Sequence, residues 1–312
     1  MAADPSPDEV LSALQVTGFL LEQEVRRIVE SAGFDAAISR AYQDPDEGKS
    51  REIDVLGWKP FFIHDRFDCV FGMRLIIECK NPKSPYVVVG HAATEYEKRQ
   101  MRSGASFWTS GFNVGKMPHP QISGLEVEEH RPIWDLLGLS DAPGSPTSDS
   151  FVGNQLISLE RKGSEWFAGN SHIFDGIVMP LTKAVNTFKR INSNRAREAF
   201  QDHEQSHNSV TLPILVTSNK IFEVNTDAND VAAAEVPWTN VMRQVHSKNM
   251  RANIKIEVVQ SKYLGDFLEQ RAIAFGDEVA DRIRKCPEVL MARQLTDLPQ
   301  TANLEHLNLG QC

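Results

Sequence analysis

The segment MRLIIECK, residues 73–80, constrains this chain most, because it places an apolar run directly before two charged residues. The run LII contains no polar residue, which is typical of a strand that is covered on both faces. Side chains alternate along a strand, so Glu78 and Lys80 point to one side and Cys79 to the other. The sequence therefore predicts a buried strand that ends with a carboxylate and an ammonium at the same place.

Hydrophobic periodicity predicts an α/β domain with a central mixed sheet flanked by helices. In SREIDVLGW, alternation is expected to put Ile53 and Val55 on one face and Asp54 on the other. PFFIHDRFDCVFG is predicted to be an elongated hairpin that returns the chain beside this strand. The remaining elements are expected in this order: one or two helices that end at Gly33, strand DAAISRAY, the strands above, strand SPYVVVG, helix ATEYEKRQMRS, helix IFDGIVMPLTKAVNTFKRI, strands in SVTLPILVTSNKIFEVN, strand NIKIEVVQ and helix YLGDFLEQRAIAFGDEVADRIRKC.

The region between Phe107 and Gly153 breaks this pattern with Gly-, Pro- and Ser-rich text such as SDAPGSPTSDS. Such text is typical of an insertion or a mobile loop after the strand that carries Glu78. We therefore expect three parts: 1–106 with the first helix and strands, 107–170 as the insertion, and 171–312 as the rest of the core.

Composition excludes several classes of protein. The formal charge of −9 argues against adhesion to nucleic acid through overall charge. A membrane span and a leader are not expected, because no apolar run is long enough and MAADPSPDEV lacks a cationic and an apolar region, so we expect a soluble cytoplasmic protein. The cysteines form no CxxC pair, which favours reduced thiols over a zinc site; they are Cys69, Cys79, Cys286 and Cys312.

Two groups of residues imitate metal ligands. The first, His64, Asp65 and Asp68, lies on the expected hairpin, where polar loop residues are ordinary. The second, His203 and His207, has the i,i+4 spacing of a zinc pair but no evident third ligand. The sequence also lacks GxSxG, a P-loop and GxGxxG after a strand, so a serine hydrolase, an NTPase and a dinucleotide enzyme are not supported.

Asp54 is the acidic residue that the hairpin is expected to bring beside Glu78. Two carboxylates on adjacent strands suit Mg²⁺, which binds through one or two carboxylates and keeps several waters. An ammonium at Lys80 could orient an attacking water and offset the charge of a phosphate. In the simpler interpretation, Glu78 and Lys80 form a surface salt bridge, but unpaired carboxylates on a covered strand would be costly.

Asp54 in REIDV and Glu78 with Lys80 in IIECK resemble the PD-(D/E)xK nuclease superfamily. Members often carry a further glutamate on the first helix, and Glu22 in GFLLEQEVRRIVESAGF is the better match, with Glu24 as the alternative. The chain departs from the family in having Ile53 where proline often precedes the aspartate. The likeness is strongest over 18–81, and 173–225 resembles the rest of the core.

This resemblance implies a restriction-endonuclease-like core and a metal-dependent nuclease. Asp54, Glu78 and the Cys79 carbonyl are expected to hold Mg²⁺ or Mn²⁺, and Glu22 to contact a second metal or its water. Lys80 would position the nucleophilic water. The expected substrate is nucleic acid, with DNA favoured, and double-strand cleavage would suit a homodimer. Phosphate contacts are expected from the basic run on the later helix, at Lys183, Lys189, Arg190, Arg195 and Arg197.

Three alternatives remain at this point. The first alternative is that this basic run is only a solvated face, and the same alternative applies to a second run between Arg243 and Lys255. The fold could belong to a catalytically inactive module that binds nucleic acid or protein. Alternatively, the insertion could dominate as a small-molecule or protein-interaction surface.

Overall fold

The computed structural model describes residues 4–65, 69–106, 112–118, 121–203, 206–300, 302 and 304–309, without the side chains of 103 and 192–203. The strands are β1 Asp35–Gln43, β2 Ser50–His64, β3 Cys69–Lys80, β4 Tyr86–Ala92, β5 Ala105–Ser106, β6 Phe112–Pro118, β7 Glu126–Arg131, β8 Phe151–Lys162, β9 Glu165–Gly169, β10 Ser206–Thr217, β11 Ile221–Asn225, β12 Ala233–Val236, β13 Trp238–His246 and β14 Arg251–Gln260. The helices are α1 Pro7–Thr17, α2 Phe19–Ser31, α3 Glu95–Gln100, α4 Ile133–Leu136, α5 Met179–His203, α6 Leu264–Phe267 and α7 Ala274–Lys285. Helical turns at Phe174–Val178 and Leu268–Ile273 lead into α5 and join α6 to α7.

The N-terminal part is a helical corner followed by a three-stranded meander. Ser6 begins α1 with a capping box, and Gly18, at a φ of 89°, lets the chain turn into α2. The helical spacing of Leu21, Val25 and Val29 buries one face of α2. β1 pairs with β2 and β2 with β3, both antiparallel. The predicted order of helix and three strands is therefore confirmed.

Among the described strands, twelve form one mixed sheet. Its order is β1-β2-β3-β10-β14-β13-β8-β4-β11-β12, with β5 beside β10 and β9 beside β8. β10 lies parallel to β3 along its whole length and parallel to β14 on its other side. Parallel neighbours need a crossover connection, and the chain between β3 and β10 includes α5, which packs on β10. The predicted α/β architecture with a mixed sheet flanked by helices is confirmed.

Helices cover β3 on both faces. Ile77 and Cys79 belong to a core cluster that also contains residues of α2, α6 and α7. Ile76 belongs to the opposite cluster, together with Leu181 and Ala184 of α5. The apolar run before Glu78 is buried for this reason, as its lack of alternation predicts.

β2 and β3 part at Asp54. Their pairing ends at Val55 and Ile77, whereas β2 pairs with β1 on both sides of Asp54, over residues 50–53 and 55–58. The prediction that Ile53 and Val55 share a face is wrong, because Val55 lies in the cluster with α2 and Ile53 in the cluster with α5. On β1, Ser39 lies between the partners of these two residues and has a φ of 50°, which interrupts regular alternation.

The stretch from Phe107 to Gly153 contains more regular structure than expected. Residues 107–111 lie outside the described part, but β6 and β7 form a hairpin, and Trp134 of α4 is buried in the core cluster of α2. β8 begins in this stretch and pairs with β4 inside the main sheet. The expected insertion 107–170 therefore contributes two strands, β8 and β9, to the sheet. The elements β6, β7 and α4 were missed because short elements show too few periods to be recognised.

The basic run between Arg243 and Lys255 forms the hairpin of β13 and β14. Lys255 is only 5% exposed, and its ammonium lies 2.5 Å from Asp149 Oδ2 and 2.6 Å from Glu257 Oε1. This cation thus neutralises carboxylates inside the protein. The later elements otherwise follow the predicted order, with β14 leading into the helical segment from α6 to α7. No helix among the described residues is both long and apolar enough to cross a membrane.

Candidate active site

The charged side chains singled out from the sequence lie together where β3 ends. Glu78 and Lys80 lie among the last three residues of β3, Asp54 lies on β2, and Glu22 lies in the first turn of α2. Their charges are close enough for Asp54 and Lys80 to shift the pKa of both glutamates. Tertiary structure therefore brings Glu22, Asp54, Glu78 and Lys80 into one cluster.

Asp54 is oriented by the backbone of β3. Its Oδ2 accepts a hydrogen bond of 2.7 Å from the Cys79 N–H. This contact occurs just beyond Val55 and Ile77, where the two strands stop pairing, so a carboxylate replaces a ladder hydrogen bond. The parting of the strands thus both frees Asp54 from the sheet face and holds its carboxylate beside Glu78.

Glu78 and Lys80 form an ion pair on the side of β3 opposite Cys79, as alternation predicts. Lys80 Nζ lies 2.5 Å from Glu78 Oε1, and Glu78 is only 7% exposed. Burial favours the neutral amine of Lys80, but the Glu78 carboxylate outweighs this effect and raises the pKa of the lysine above its ordinary value. Lys80 is therefore an ammonium at neutral pH.

The carboxyl groups of the cluster are harder to ionise than ordinary ones. Burial, followed by the charge of Asp54, raises the pKa of Glu78 to about 7. Burial also raises the pKa of Asp54, against the opposing hydrogen bond from Cys79 N–H. The pKa of Glu22 is raised by burial and then by Asp54. Three carboxyl groups beside one ammonium leave a local excess of negative charge, which an added cation would relieve.

The corner between α1 and α2 sets the position of Glu22. Asn81, the residue after Lys80, donates a 2.6 Å hydrogen bond from Nδ2 to the carbonyl of Gln15, and its Oδ1 accepts one from Ser218. The end of β3 is thereby tied to α1 and to the end of β10. Glu24 is exposed and lines a separate groove with residues of α6, so the structure brings Glu22 rather than Glu24 to the cluster.

The oxygen atoms of the cluster fit a magnesium site in which the protein supplies only a few of the metal ligands. The described residues include no group of three or more His, Cys, Asp or Glu side chains arranged to hold a metal ion. Mg²⁺ needs only one or two carboxylates, because it keeps several of its waters. Asp54 and Glu78 supply two, and Asp54 Oδ1 and Glu78 Oε2 accept no hydrogen bond from any described residue. The Cys79 carbonyl stays a predicted third ligand, while its thiol lies in the core on the other face.

The residues predicted to contact phosphate lie in different environments. Lys183 is buried, and its ammonium lies 2.9 Å from Asp44 and 3.5 Å from Asp46, so its assignment to a phosphate is wrong. Although burial opposes ionisation, hydrogen bonds led by that of Lys183 hold the pKa of Asp44 well below its usual range. Burial lowers the pKa of Lys189, which lines a cavity between α5, β10 and β14.

Arg190 is exposed on α5 and remains available to a phosphate. Arg195 and Arg197 lie on the same helix, but their side chains fall outside the described part of the chain. Lys183 and Arg190 are seven residues apart, which places them on nearly the same side of the helix. Their burial differs along the helix axis: Lys183 lies beside Asp44 and Asp46 in the covered first part of α5, whereas Arg190 lies beyond that part and is exposed.

The described members of the groups that imitate metal ligands do not join the cluster. His64 ends β2, Asp65 follows it, and Asp68 lies outside the described residues. His207 is exposed on β10, and the side chain of His203 lies outside the description.

Sequence reasoning missed two neighbours of the site. Asn81 immediately follows the ExK tripeptide and could have been found from its position alone. Tyr86, which is buried beside Lys80 on the next strand, gave no signal. No family model matches this chain, and neither the curated proteins nor the solved structures that were compared with it include a match.

Proposed function

We propose that this chain is a metal-dependent nuclease that hydrolyses phosphodiester bonds at the end of β3. The observation that carries this proposal is the Glu78–Lys80 ion pair beside a carboxylate, Asp54, that the backbone of Cys79 holds in place. The order of helix, three antiparallel strands, crossover helix and parallel strand supports a restriction-endonuclease-like core. It also supports the resemblance to the PD-(D/E)xK superfamily.

Asp54, Glu78 and the Cys79 carbonyl are the residues that would hold Mg²⁺ or Mn²⁺. When bound, the ion supplies positive charge beside the phosphate on which negative charge develops. Ionised carboxylates are the form that binds a cation, so the raised pKa of Glu78 predicts weaker metal binding and slower cleavage below about pH 7.

Lys80 acts as a donor in this mechanism. Since its pKa is raised, its ammonium does not take a proton at neutral pH, but it can orient the attacking water and bind a phosphate oxygen. Its pairing with Glu78 fixes where these hydrogen bonds point. Glu22, at the edge of the same cluster, can accept a hydrogen bond from water or contribute to a second metal.

Nucleic acid, with DNA favoured, is the proposed substrate. The formal charge of −9 means that binding depends on local cations, of which Arg190 is the described one that stays exposed on α5. Two copies of the chain would allow both strands of a duplex to be cut, and a homodimer in the cytoplasm is part of the proposal.

Cleavage assays test the proposal directly. Single-stranded and duplex DNA and RNA are incubated with Mg²⁺, Mn²⁺ or EDTA and with wild type, Glu78→Gln, Lys80→Met or Glu24→Gln. We expect metal-dependent cleavage by wild type and Glu24→Gln, and a loss of about a hundredfold or more in the two site variants. Glu24→Gln is the matched control, because it removes an exposed acid from the same helix as Glu22.

Two results would count against a nuclease. Cleavage that survives in both site variants would place the activity elsewhere or in a contaminant. Absence of cleavage, together with no stabilisation by Mg²⁺ or Mn²⁺, would favour the catalytically inactive module that binds nucleic acid or protein on the same fold.

A further inference from the structure

The hairpin of β8 and β9 projects beyond the edge of the sheet where the candidate active site lies. β8 pairs with β4 as far as Ser158, the partner of Tyr86. Tyr86 is close enough to Lys80 for their charges to interact. From Ser158 to Lys162, β8 pairs with β9, and four residues at about 3.3 Å each span roughly 13 Å. The hairpin therefore begins near Lys80 and extends away from it.

Two aromatic side chains are exposed on this hairpin. Trp166 is 54% exposed and Phe167 is 45% exposed. Every residue of β9 from Glu165 to Ala168 is exposed, and neither ring joins a core cluster of the described residues. Adjacent exposed rings on a projecting strand add little to the packing of the chain, and such apolar surface is typical of a binding site.

Alternation divides the hairpin into two faces of different charge. Arg161 pairs with Trp166, so both side chains lie on one face, with the guanidinium 6.0 Å from the centre of the indole ring. The neighbouring pair on this face is Leu159 and Ala168, so the face carries a cation and no carboxylate. The opposite face carries two carboxylates beside one ammonium and one ring: Glu160, Glu165, Lys162 and Phe167.

The guanidinium of Arg161 keeps hydrogen-bond donors for a ligand. Its Nε donates to the Gly163 carbonyl at 3.2 Å, and no carboxylate in the described part of the chain forms an ion pair with it. In a chain with a formal charge of −9, an exposed arginine on a face without acids favours an anion. The exposed ring of Trp166 favours a flat apolar group. A nucleotide combines the two, because it joins a phosphate to a base.

We propose that the face formed by Arg161 and Trp166 binds single-stranded nucleic acid. A base stacks on the indole, and the guanidinium binds an adjoining phosphate. This face lies on the other side of β8 from Ser158 and Tyr86, so a bound strand passes over the hairpin before it reaches Lys80. An unpaired strand can follow such a path, whereas a duplex is stiff and keeps its bases stacked on one another.

The choice of partner rests on the proposed function, but binding alone tests the inference. Cleavage by a chain in which Arg161 and Trp166 bind nothing would leave the nuclease standing and overturn the hairpin as a binding surface. Binding by these residues in a chain that cuts no substrate would do the reverse.

Fluorescence anisotropy in EDTA measures binding without metal-dependent cleavage. Labelled oligothymidylate, oligouridylate and a DNA duplex of the same length are mixed with the full chain at low salt. We expect one or both single strands to bind at least about fivefold more tightly than the duplex. Trp166→Leu and Arg161→Gln should each weaken single-strand binding at least about fivefold. Phe167→Leu is the matched control and should change it by less than about twofold, because Phe167 lies on the face with the two carboxylates.

Two further measurements separate stacking from phosphate binding. Arg161→Gln should reduce the slope of log K against log salt concentration by about 0.7, whereas Trp166→Leu should leave the slope unchanged. Oligothymidylate should quench the intrinsic fluorescence of wild type and of Phe167→Leu, and Trp166→Leu should lose this quenching, since the stacked indole is absent. Circular dichroism checks that each variant is folded.

Several outcomes would overturn the proposal. They include no binding of either single strand by wild type, duplex binding as tight as single-strand binding, and equal losses in Trp166→Leu and Phe167→Leu. Binding that survives in both Trp166→Leu and Arg161→Gln would place the nucleic acid elsewhere on the chain. A wild-type dimer in sedimentation that Trp166→Leu dissociates, without any binding of oligonucleotide, would show that the ring docks a second copy instead.

Discussion

Replacing Glu78 with glutamine is expected to stabilise the metal-free protein at alkaline pH, although the change breaks an ion pair with Lys80. The reason is that burial of Glu78 and the nearby negative charge of Asp54 together raise the pKa of Glu78 from 4.5 to about 7. Between these two values, the folded protein keeps a proton that the unfolded chain has released. Stability due to this group is therefore full below pH 4.5 and is lost as the pH rises through 7.

The size of the effect follows from the shift of the pKa. Each unit corresponds to about 1.4 kcal/mol, so ionised Glu78 lowers the free energy of unfolding by roughly 3 kcal/mol at pH 8 and by about 1 kcal/mol at pH 5.5. Glutamine cannot ionise and has nearly the same shape. Glu78→Gln should thus be more stable than wild type by these amounts when no divalent metal is present.

Urea unfolding in EDTA at pH 5.5 and pH 8 measures both differences, with Glu24→Gln as an exposed control that should change stability by less than about 0.5 kcal/mol. With Mg²⁺ at a hundred times its dissociation constant, wild type should gain about 2.7 kcal/mol and Glu78→Gln should not. Equal destabilisation of Glu78→Gln at both pH values in EDTA would refute the reasoning. It would mean that the ion pair with Lys80 outweighs the burial of the carboxylate.

The remaining predictions concern residues that the sequence grouped with the site. Lys183→Met should lower the free energy of unfolding by roughly 3 kcal/mol, because it takes one cation from the buried Asp44. Cleavage per folded molecule should be unchanged. Normal stability together with lost cleavage in the same assays would show that Lys183 contacts the substrate. Glu22→Gln should slow cleavage by about tenfold or more at saturating Mg²⁺, whereas Glu24→Gln should not. Of these two glutamates, Glu22 is the one close enough to Asp54 and Lys80 for their charges to shift its pKa. Equal rates in these two variants would remove Glu22 from the mechanism.

Local patterns were sufficient where an element buries a continuous or regularly spaced apolar face. The run before Glu78 identified β3, and the spacing of Leu21, Val25 and Val29 identified α2. Alternation also placed Glu78 and Lys80 opposite Cys79. The same rule failed at Ile53 and Val55, because the parting of β2 from β3 and the backbone of Ser39 change the face between them.

The short elements between 112 and 136 were missed for a different reason. α4 has four residues and β6 has seven, too few for a period to stand out from Gly- and Pro-rich text. Their burial comes from contacts with distant segments, such as the packing of Trp134 against Phe275 of α7. No pattern inside the short segment could have revealed that contact.

By itself, the sequence determined the order of most helices and strands, the side of β3 on which Glu78 and Lys80 lie, and Asp54 as their expected partner, while the resemblance to a nuclease superfamily added Glu22 or Glu24. Tertiary structure alone decided that Glu22 rather than Glu24 joins them, that Lys183 neutralises Asp44, and that Lys189 faces a cavity. The physical reason is that periodicity reports which face of an element is apolar. The charge partners of a side chain, and the burial that shifts its pKa, depend on packing between residues far apart in the chain.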